Sequence, residues 1–171
     1  MLFDENYLNS LSASKPTAAD IPFTGTTTDK EDPRESLQHF EVDMFLRFSE
    51  RNDWHFSSSM RRRAIRMEDP FYITDTAHRV IWVNQKYLKQ SGLPSEKVLG
   101  KPAPFLESTE FTRLAESGQW PAKEQQVLQM DVLLHRQNSE PCLVRVEMCP
   151  VFDLRDRLVN YLVFENEITL I

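Results

Sequence analysis

The stretch that decides the fold is YITDTAHRVIWVNQKYLKQSGLPSEKVLG, residues 72–100. Apolar, strand-forming residues stand on both sides of its short polar segment DTAHR, residues 75–79. They predict a hairpin of two strands, Phe71–Thr74 and Val80–Val83. Asp75 opens the turn, since its carboxylate can accept hydrogen bonds from the amides that follow it.

The residues after this hairpin predict three short helices and three more strands. Asn84 occupies a helix N-cap position, and Gly92 fits the left-handed residue that follows such a helix. Pro94 to Glu96 starts a second, one-turn helix, and a third lies within 105–117. The remaining strands are predicted at 126–135, 141–150 and 158–168. This order predicts an α+β fold, a five-stranded antiparallel sheet with short helices on one face.

The segment before the hairpin divides into two parts. Residues 1–31 are rich in Ser, Thr, Ala, Asp and Pro, which predicts a flexible N-terminal tail. Residues 32–59 are predicted to be an amphipathic flanking helix and a linker, which leaves 60–168 as the domain. Asp32, Pro33 and Glu35 fit the capping pattern of a helix start.

The flanking helix carries an apolar stripe at helical spacing. Its members are Leu37, Phe40, Met44, Phe45 and Phe48. Two interpretations stay open: the helix covers the core of its own domain, or it contacts a second copy or another partner. They are compatible if each side of the helix serves one purpose.

Composition excludes several classes of protein. The chain has 171 residues, 40% of them hydrophobic and 27% charged, and a net charge of −6. An acidic chain is not expected to bind nucleic acid or anionic membranes as a whole. No apolar run reaches the ~18–20 residues that a membrane helix needs. Its first residues, MLFDENYLNS, lack the pattern of a signal peptide, which predicts a cytoplasmic protein.

The chain carries no motif typical of an enzyme or a metal site. It lacks a glycine-rich phosphate loop and zinc-ligand spacing, and it contains only 4 glycines. Cys142 and Cys149 lie seven apart in one predicted strand, so their side chains should point to opposite faces without forming a disulfide. Four arginines between Arg61 and Arg66 either line a solvated helix face or bind phosphate groups. We therefore predict a protein that is not an enzyme.

The order of elements and the residues within them resemble the PAS sensor-domain family. The resemblance covers about residues 60–168 and is carried by RAIRMEDPFYITD, by RVIWVNQKYLKQSGLPSEKVLGK and by the last three strands. It implies the PAS fold, with a pocket for a small molecule or a partner between the helices and the sheet. It also implies dimerisation through a flanking N-terminal helix and the outer face of the sheet.

The flavin-binding light-oxygen-voltage members of that family carry a reactive cysteine in G-x-N-C-R-F-L-Q. The matching segment here is GKPAPFLE, in which Pro102 and Ala103 replace the asparagine and the cysteine. The family's two strand asparagines fall at Leu134 and Val144, and its glutamine falls at Glu165. Without a thiol there is no nucleophile for a flavin adduct.

Haem is not expected either. Haem-binding members of the oxygen-sensing type use a histidine on the helix before the third strand, and the matching STEFTRLAESG contains none. The four histidines are His39, His55, His78 and His135. Each is interpreted as a surface or hydrogen-bonded side chain. No cofactor is predicted.

Strand alternation predicts which side chains face the helices. They are Leu128, Met130, Val132, Leu134, Cys142, Val144, Val146, Met148, Tyr161, Val163 and Glu165. This almost wholly apolar set is either an ordinary core or the lining of a site for an apolar ligand. Glu165 either anchors a ligand or sits in water at the open end of its strand, and the second alternative is favoured.

The opposite face predicts an assembly surface. Leu133, Leu143, Leu162 and Phe164 form a patch too apolar to leave in water. The stripe of the flanking helix, from the same chain or from a second copy, is the predicted cover. Together these residues are the predicted dimer or partner interface.

The resulting prediction is a PAS signalling module, a homodimer that senses an apolar small molecule or another protein. The sequence ends three residues after Ile168, so the module is expected to act on a partner protein in trans or to belong to a longer chain. A flavin or haem sensor, and a regulatory fragment of a histidine kinase or transcription regulator, are the alternatives.

Overall fold

The computed structural model describes residues 33–117, 127–135 and 141–168 of the chain. The predicted tail, Asp32 and the start of the third predicted strand at Gln126 lie outside these residues. Glu35 lies in a described helix, but its side chain is not described. None of the helices in the described ranges is long and apolar enough to cross a membrane.

The helices form two groups, one before and one after the first hairpin. Before it come α1 (Pro33–Arg51) and α2 (Ser58–Arg66). After it come α3 (Gln85–Ser91), α4 (Ser95–Val98), a 3₁₀ helix (Pro104–Glu107) and α5 (Thr109–Glu116). Asn84 caps α3 through its side chain, and Gly92 ends it with φ +69°, as the sequence predicted.

Within the described residues, the sheet contains the five predicted strands and one that the sequence did not predict. The strands are β1 (Trp54–His55), β2 (Phe71–Thr74), β3 (Val80–Val83), β4 (Leu128–Leu134), β5 (Cys142–Asp153) and β6 (Leu158–Glu167). All pairings are antiparallel, and the order runs β3-β2-β6-β5. On the other edge of β5, β4 pairs its first half and the two-residue β1 pairs its end. The predicted α+β fold is confirmed.

The predicted domain boundary at residue 60 falls inside α2, which starts at Ser58 and is capped by the side chain of Ser57. The predicted linker also supplies β1, which joins the sheet through Asp153 and Phe152. The segment that precedes the predicted domain is therefore part of the same folded body.

Two hairpin turns share one local structure. In the β2–β3 turn, the Asp75 carboxylate accepts the amides of Ala77 and Arg79, and His78 is left-handed at φ +60°. In the β5–β6 turn, Asp153 accepts the amides of Arg155 and Arg157, and Asp156 is left-handed at φ +56°. The hydrogen bonds from the amide and guanidinium of Arg157 lower the pKa of Asp153 to about 2.

Apolar side chains pack on both faces of the sheet. On the inner face they meet the helices that follow the first hairpin. We call this group the inner cluster, and its buried members are Tyr72, Val80, Val83, Tyr87, Val98, Ala103, Phe105, Val132, Leu134, Val144, Val146, Met148, Tyr161 and Val163. On the outer face they meet α1 and α2. We call this group the outer cluster, and its buried members are Phe45, Ala64, Met67, Phe71, Ile73, Trp82, Cys149, Val151, Leu162 and Phe164. Cys142 packs on the inner cluster and Cys149 lies in the outer one, so the two thiols are on opposite faces and both are free.

Candidate functional site

The inner face holds all the residues predicted to line a pocket. Seven are buried members of the inner cluster, namely Val132, Leu134, Val144, Val146, Met148, Tyr161 and Val163. Leu128, Met130 and Cys142 are partly buried against it. Period-two alternation therefore placed the side chains on the face that the sequence predicted. A role for them in ligand binding stays a prediction.

Aromatic side chains from the helical layer pack against these strands. Tyr87 of α3 and Phe105 of the 3₁₀ helix are buried in the inner cluster, as is Tyr72 of β2. The rings of Tyr72 and Tyr87 meet edge-on with centroids 4.9 Å apart. This side of the sheet therefore has the character of a well-packed protein core.

Glu165 is a fully buried carboxyl on this apolar face. Its exposed fraction is 0%, so the prediction that it sits in water at the end of its strand is wrong. The hydroxyl of Tyr72 donates a hydrogen bond to its Oε1 at 2.6 Å. A short bond of this kind offsets part of the cost of removing a carboxylate from water.

The backbone around Glu165 is held from two directions. Its amide donates to the carbonyl of Pro70 at 3.0 Å, and its carbonyl accepts from Nε2 of Gln90 at 2.9 Å. The chain entering β2 and the helix α3 therefore both fix the position of this residue. Burial, followed by the charge of Glu165, raises the pKa of Tyr72 well above its usual value, so the phenol stays a hydrogen-bond donor.

His78 lies at the rim of the inner cluster. Its ring stands 4.9 Å from that of Tyr161 and 6.5 Å from that of Phe105. Its carbonyl accepts the amide of Ala103, which ties the β2–β3 turn to the start of the 3₁₀ helix. Burial lowers the pKa of His78, and the nearby carboxylate of Asp75 opposes that shift.

The positions that match the flavin contacts come together in space, but their chemistry does not suit a flavin. Ala103, Leu134 and Val144 are all buried in the inner cluster, and Glu165 is buried on the same face. Alanine offers no thiol, and leucine and valine offer no hydrogen bond to a flavin ring. Glu165 is engaged with Tyr72. These residues do not fit the flavin.

The described histidines and carboxylates do not assemble a metal centre. His39, His55 and His135 are exposed, and His78 is half-buried. In the described ranges, no three His, Cys, Asp or Glu side chains are placed to hold a metal ion together.

The outer cluster is covered by the chain's own N-terminal helices. Phe45 of α1 is fully buried, and its ring meets those of Phe71 and Trp82 at 5.9 and 6.0 Å. It also meets Trp54 of the unpredicted strand β1 at 6.0 Å. Burial raises the pKa of Cys149, in this cluster, to about 12, so this thiol stays protonated near neutral pH.

This cover corrects the predicted dimer interface. Phe45, Leu162 and Phe164 are each 0% exposed within one chain, which leaves them no surface for a partner. Met44, Phe48 and Leu143 are half-buried. The residues of the predicted interface that stay exposed are Leu37 at 58%, Phe40 at 59% and Leu133 at 45%.

Arg63 fastens α2 to the sheet, a contact that the sequence did not predict. Its guanidinium pairs with Asp69 at 2.6 Å and with Glu147 of β5 at 2.7 Å. The same group stacks on Phe164, 3.8 Å from the ring centroid. Arg63 is therefore structural rather than available for a phosphate group.

Two side chains of α1 form hydrogen bonds with backbone groups elsewhere in the domain. The carboxylate of Glu41 accepts the amide of Gln85 at the start of α3. Nε2 of Gln38 donates to the carbonyl of Arg66 at the end of α2, at 2.9 Å. Burial raises the pKa of Glu41, and the Gln85 amide and the charge of Lys89 oppose that rise. Contacts so distant in sequence left no local pattern that could have predicted them.

A family model described as "PAS domain" matches residues 68–170. This match covers more than half of the chain, which therefore belongs to the PAS domain family. The resemblance inferred from the sequence motifs is confirmed. A comparison with curated proteins gives no match.

Solved structures of PAS and light-oxygen-voltage domains share the fold at low sequence identity. The dark structure of the blue-light photoreceptor Aureochrome1 LOV is 16% identical with a TM-score of 0.56, covering 67% of this chain and 86% of its own. A light-oxygen-voltage domain studied with a flavin analogue is 17% identical with a TM-score of 0.55, covering 66% and 87%. The PAS domain of the fruit-fly ELK potassium channel is 12% identical with a TM-score of 0.52, covering 67% and 100%.

Proposed function

We propose that this chain is a non-enzymatic PAS signalling module of the cytoplasm that works through contacts with other proteins, first of all with a second copy of itself. Membership of the family supports the signalling role. The observation that carries the protein contact is the pair of exposed apolar side chains on α1, Leu37 and Phe40.

The flanking helix carries both packed and exposed apolar side chains. Val42 and the buried Phe45 pack in the outer cluster. Leu37 and Phe40, on neighbouring turns near the start of the helix, are each more than half exposed. A two-fold contact between two copies would bury both residues against their equivalents, because a two-fold axis matches a surface with itself. Burial of such side chains contributes roughly 1.5–3 kcal/mol each.

Native mass spectrometry, together with light scattering over a concentration series, tests this proposal. The expected mass is that of two chains. Phe40→Glu should raise the dissociation constant of the dimer by about tenfold or more, because it places a charge in an apolar contact. His39→Glu is the matched control, since His39 is an exposed neighbour on the same helix. It should leave the dimer nearly unchanged.

Two results would count against the proposal. A monomer at every concentration would show that the exposed pair contacts a different protein or none. Equal effects of Phe40→Glu and His39→Glu would show that net charge, rather than the apolar pair, governs association.

An apolar small molecule bound at the inner face is the second candidate function. One observation favours it: Oγ1 of Thr74 is buried and has no hydrogen-bond partner among the described residues. Thr74 follows the inward Tyr72 by two positions in β2, so it faces the inner cluster. A ligand with one polar group could satisfy this hydroxyl, and so could an internal water. A discrete additional mass per chain would support the ligand, and bare chains would not.

A further inference from the structure

Helix α2 carries four arginines, of which one packs on the sheet and three are exposed. Arg63 faces the sheet and is engaged by Asp69, Glu147 and Phe164. The other three are exposed, and we call them the arginine face: Arg61, Arg62 and Arg66. At 100° per residue, Arg62 and Arg66 lie about 40° apart and roughly opposite the buried Ala64, and Arg61 lies about 100° to one side of Arg62.

The charges of the arginine face are not neutralised by the described part of the chain. No ion pair joins any of the three to a described carboxylate. Nε of Arg62 donates to the carbonyl of Ser58 at 3.2 Å, which leaves its two terminal nitrogens for other acceptors. Like charges at i and i+4, as in Arg62 and Arg66, destabilise a helix slightly. The protein therefore holds a local positive surface on a chain whose net charge is −6.

The helix that presents these arginines is firmly held. The side chain of Ser57 caps its start by accepting the amide of Met60 at 3.2 Å. Met67 ends it in a left-handed conformation, and its amide donates to the carbonyl of Ala64 at 3.1 Å. Ala64 is fully buried, and Arg63 joins the helix to β5. A rigid helix loses little entropy when its outward groups bind a partner.

We propose that the arginine face is the docking surface for a carboxylate-rich segment of a partner protein. The proposal rests on the proposed signalling function, which requires a surface that passes the signal to a partner protein. Guanidinium groups pair with carboxylates in bidentate geometry, so a short acidic segment of extended or helical form suits three arginines spread over two turns.

A nucleic acid fits this surface less well. Stable binding to a duplex can use roughly 6–10 phosphate contacts, about two to three times the number of free arginines on α2. The acidic chain as a whole also repels a long polyanion. A short acidic peptide contacts only the local positive surface and largely escapes this repulsion at physiological ionic strength, where exposed charges are screened beyond about 8–10 Å.

The test measures binding of a fluorescent oligoglutamate peptide to the full chain at low and at physiological ionic strength. The face variant carries Arg61→Gln, Arg62→Gln and Arg66→Gln. The matched control carries Arg51→Gln, Arg113→Gln and Arg155→Gln, which remove the same charge from three exposed arginines on other elements. Loss of three exposed charge pairs should raise the dissociation constant by about tenfold in the face variant. The control should change it by less than about twofold.

Four results would overturn the proposal. The first is no binding of the peptide to the unmodified chain at low ionic strength, and the second is an equal loss of affinity in both variants. The third is tighter binding of a single-stranded oligonucleotide of the same charge. The fourth is peptide binding that emerges only after neutralising Asp29, Glu31 and Asp32. The last would show that the chain's own N-terminal segment occupies the surface. Circular dichroism of both variants verifies folding. The dimer measurement on Phe40→Glu is independent of these outcomes, so either proposal can fail alone.

Discussion

The buried hydrogen bond between Tyr72 and Glu165 depends on the protonation state of its donor, the Tyr72 hydroxyl. A carboxylate without access to water is costly unless hydrogen bonds replace its hydration. The 2.6 Å bond from the Tyr72 hydroxyl provides one such replacement. It requires the phenol to keep its proton, and the raised pKa of Tyr72 ensures this near neutral pH.

Tyr72→Phe should lower the free energy of unfolding by about 2 kcal/mol near neutral pH, because it removes a hydrogen bond to a charged acceptor. In a Glu165→Gln background the same change should cost only about 1 kcal/mol, since the acceptor is then neutral. Urea unfolding of the four proteins provides the double-mutant cycle. Equal costs in both backgrounds would show that a charge on Glu165 does not strengthen this hydrogen bond.

The same pair predicts behaviour at alkaline pH. The folded pKa of Tyr72 is raised above its unfolded value near 10, so its contribution is complete below that pH and is lost as pH rises further. The stability of the unmodified chain should therefore fall more steeply above pH about 10 than that of Tyr72→Phe.

His78 should make the stability of the protein depend on pH in the opposite direction. Its folded pKa lies below the usual 6.5, so its contribution is complete above that pH and declines as pH falls through the folded pKa. His78→Asn removes the titrating group and suits the left-handed backbone. Unfolding free energies measured from pH about 8 to about 5 should fall less in this variant. Parallel curves would refute the role of His78.

At the scale of elements, α2 is joined to the sheet by the guanidinium of Arg63, which forms two ion pairs and stacks on the ring of Phe164. We call this contact the clamp. Arg63 pairs with Asp69 and Glu147, and Glu147 also accepts Nε2 of Gln129 at 3.1 Å. The clamp links α2 to β5 and, through β5, to β4. A helix of nine residues is marginal by itself, so these contacts and the burial of Ala64 hold it in place.

Arg63→Met should therefore lower the free energy of unfolding by about 1–2 kcal/mol, because it retains an apolar stem over Phe164 while leaving two carboxylates without their cation. Arg62→Met, on the exposed side of the same helix, should change it by less than about 0.5 kcal/mol. Thermal unfolding and hydrogen exchange of α2 measure both effects. If the two variants behave alike, the clamp contributes nothing to stability.

At the scale of the whole molecule, the chain shares its fold with light-oxygen-voltage domains but differs from them at the flavin-contacting positions. The TM-score of 0.55 at 17% identity describes a common fold only. The residues at the flavin-contacting positions are apolar here, apart from Glu165, which is engaged by Tyr72. Restoring one cysteine therefore should not restore the chemistry.

Ala103→Cys, mixed with flavin mononucleotide, should show no bleaching of the blue absorbance under illumination. The thiol would be present, but the side chains that would position a flavin beside it would not. A flavin-binding light-oxygen-voltage domain, illuminated in parallel, is the positive control. Reversible bleaching in the variant would contradict this expectation.

Much of this fold follows from local patterns in the sequence. The hairpin around DTAHR, the cap at Asn84 and the left-handed Gly92 are each specified by a few adjacent residues. The inward side chains of β4, β5 and β6 follow from alternation with a period of two. These features need no knowledge of distant contacts, which is why the sequence by itself determined the family, the order of elements and the two faces of the sheet.

Only the tertiary structure decided which partners the side chains on each face of the sheet contact. Tyr72 and Glu165 are 93 positions apart, and their hydrogen bond depends on the pairing of β2 with β6. The two-residue β1 has no pattern of its own and exists because β5 extends past β4. The outer patch was predicted, but whether α1 of the same chain would cover it was open. Packing decided this, since Phe45 is buried against Phe71 and Trp82, while Leu37 and Phe40 near the start of the helix stay exposed.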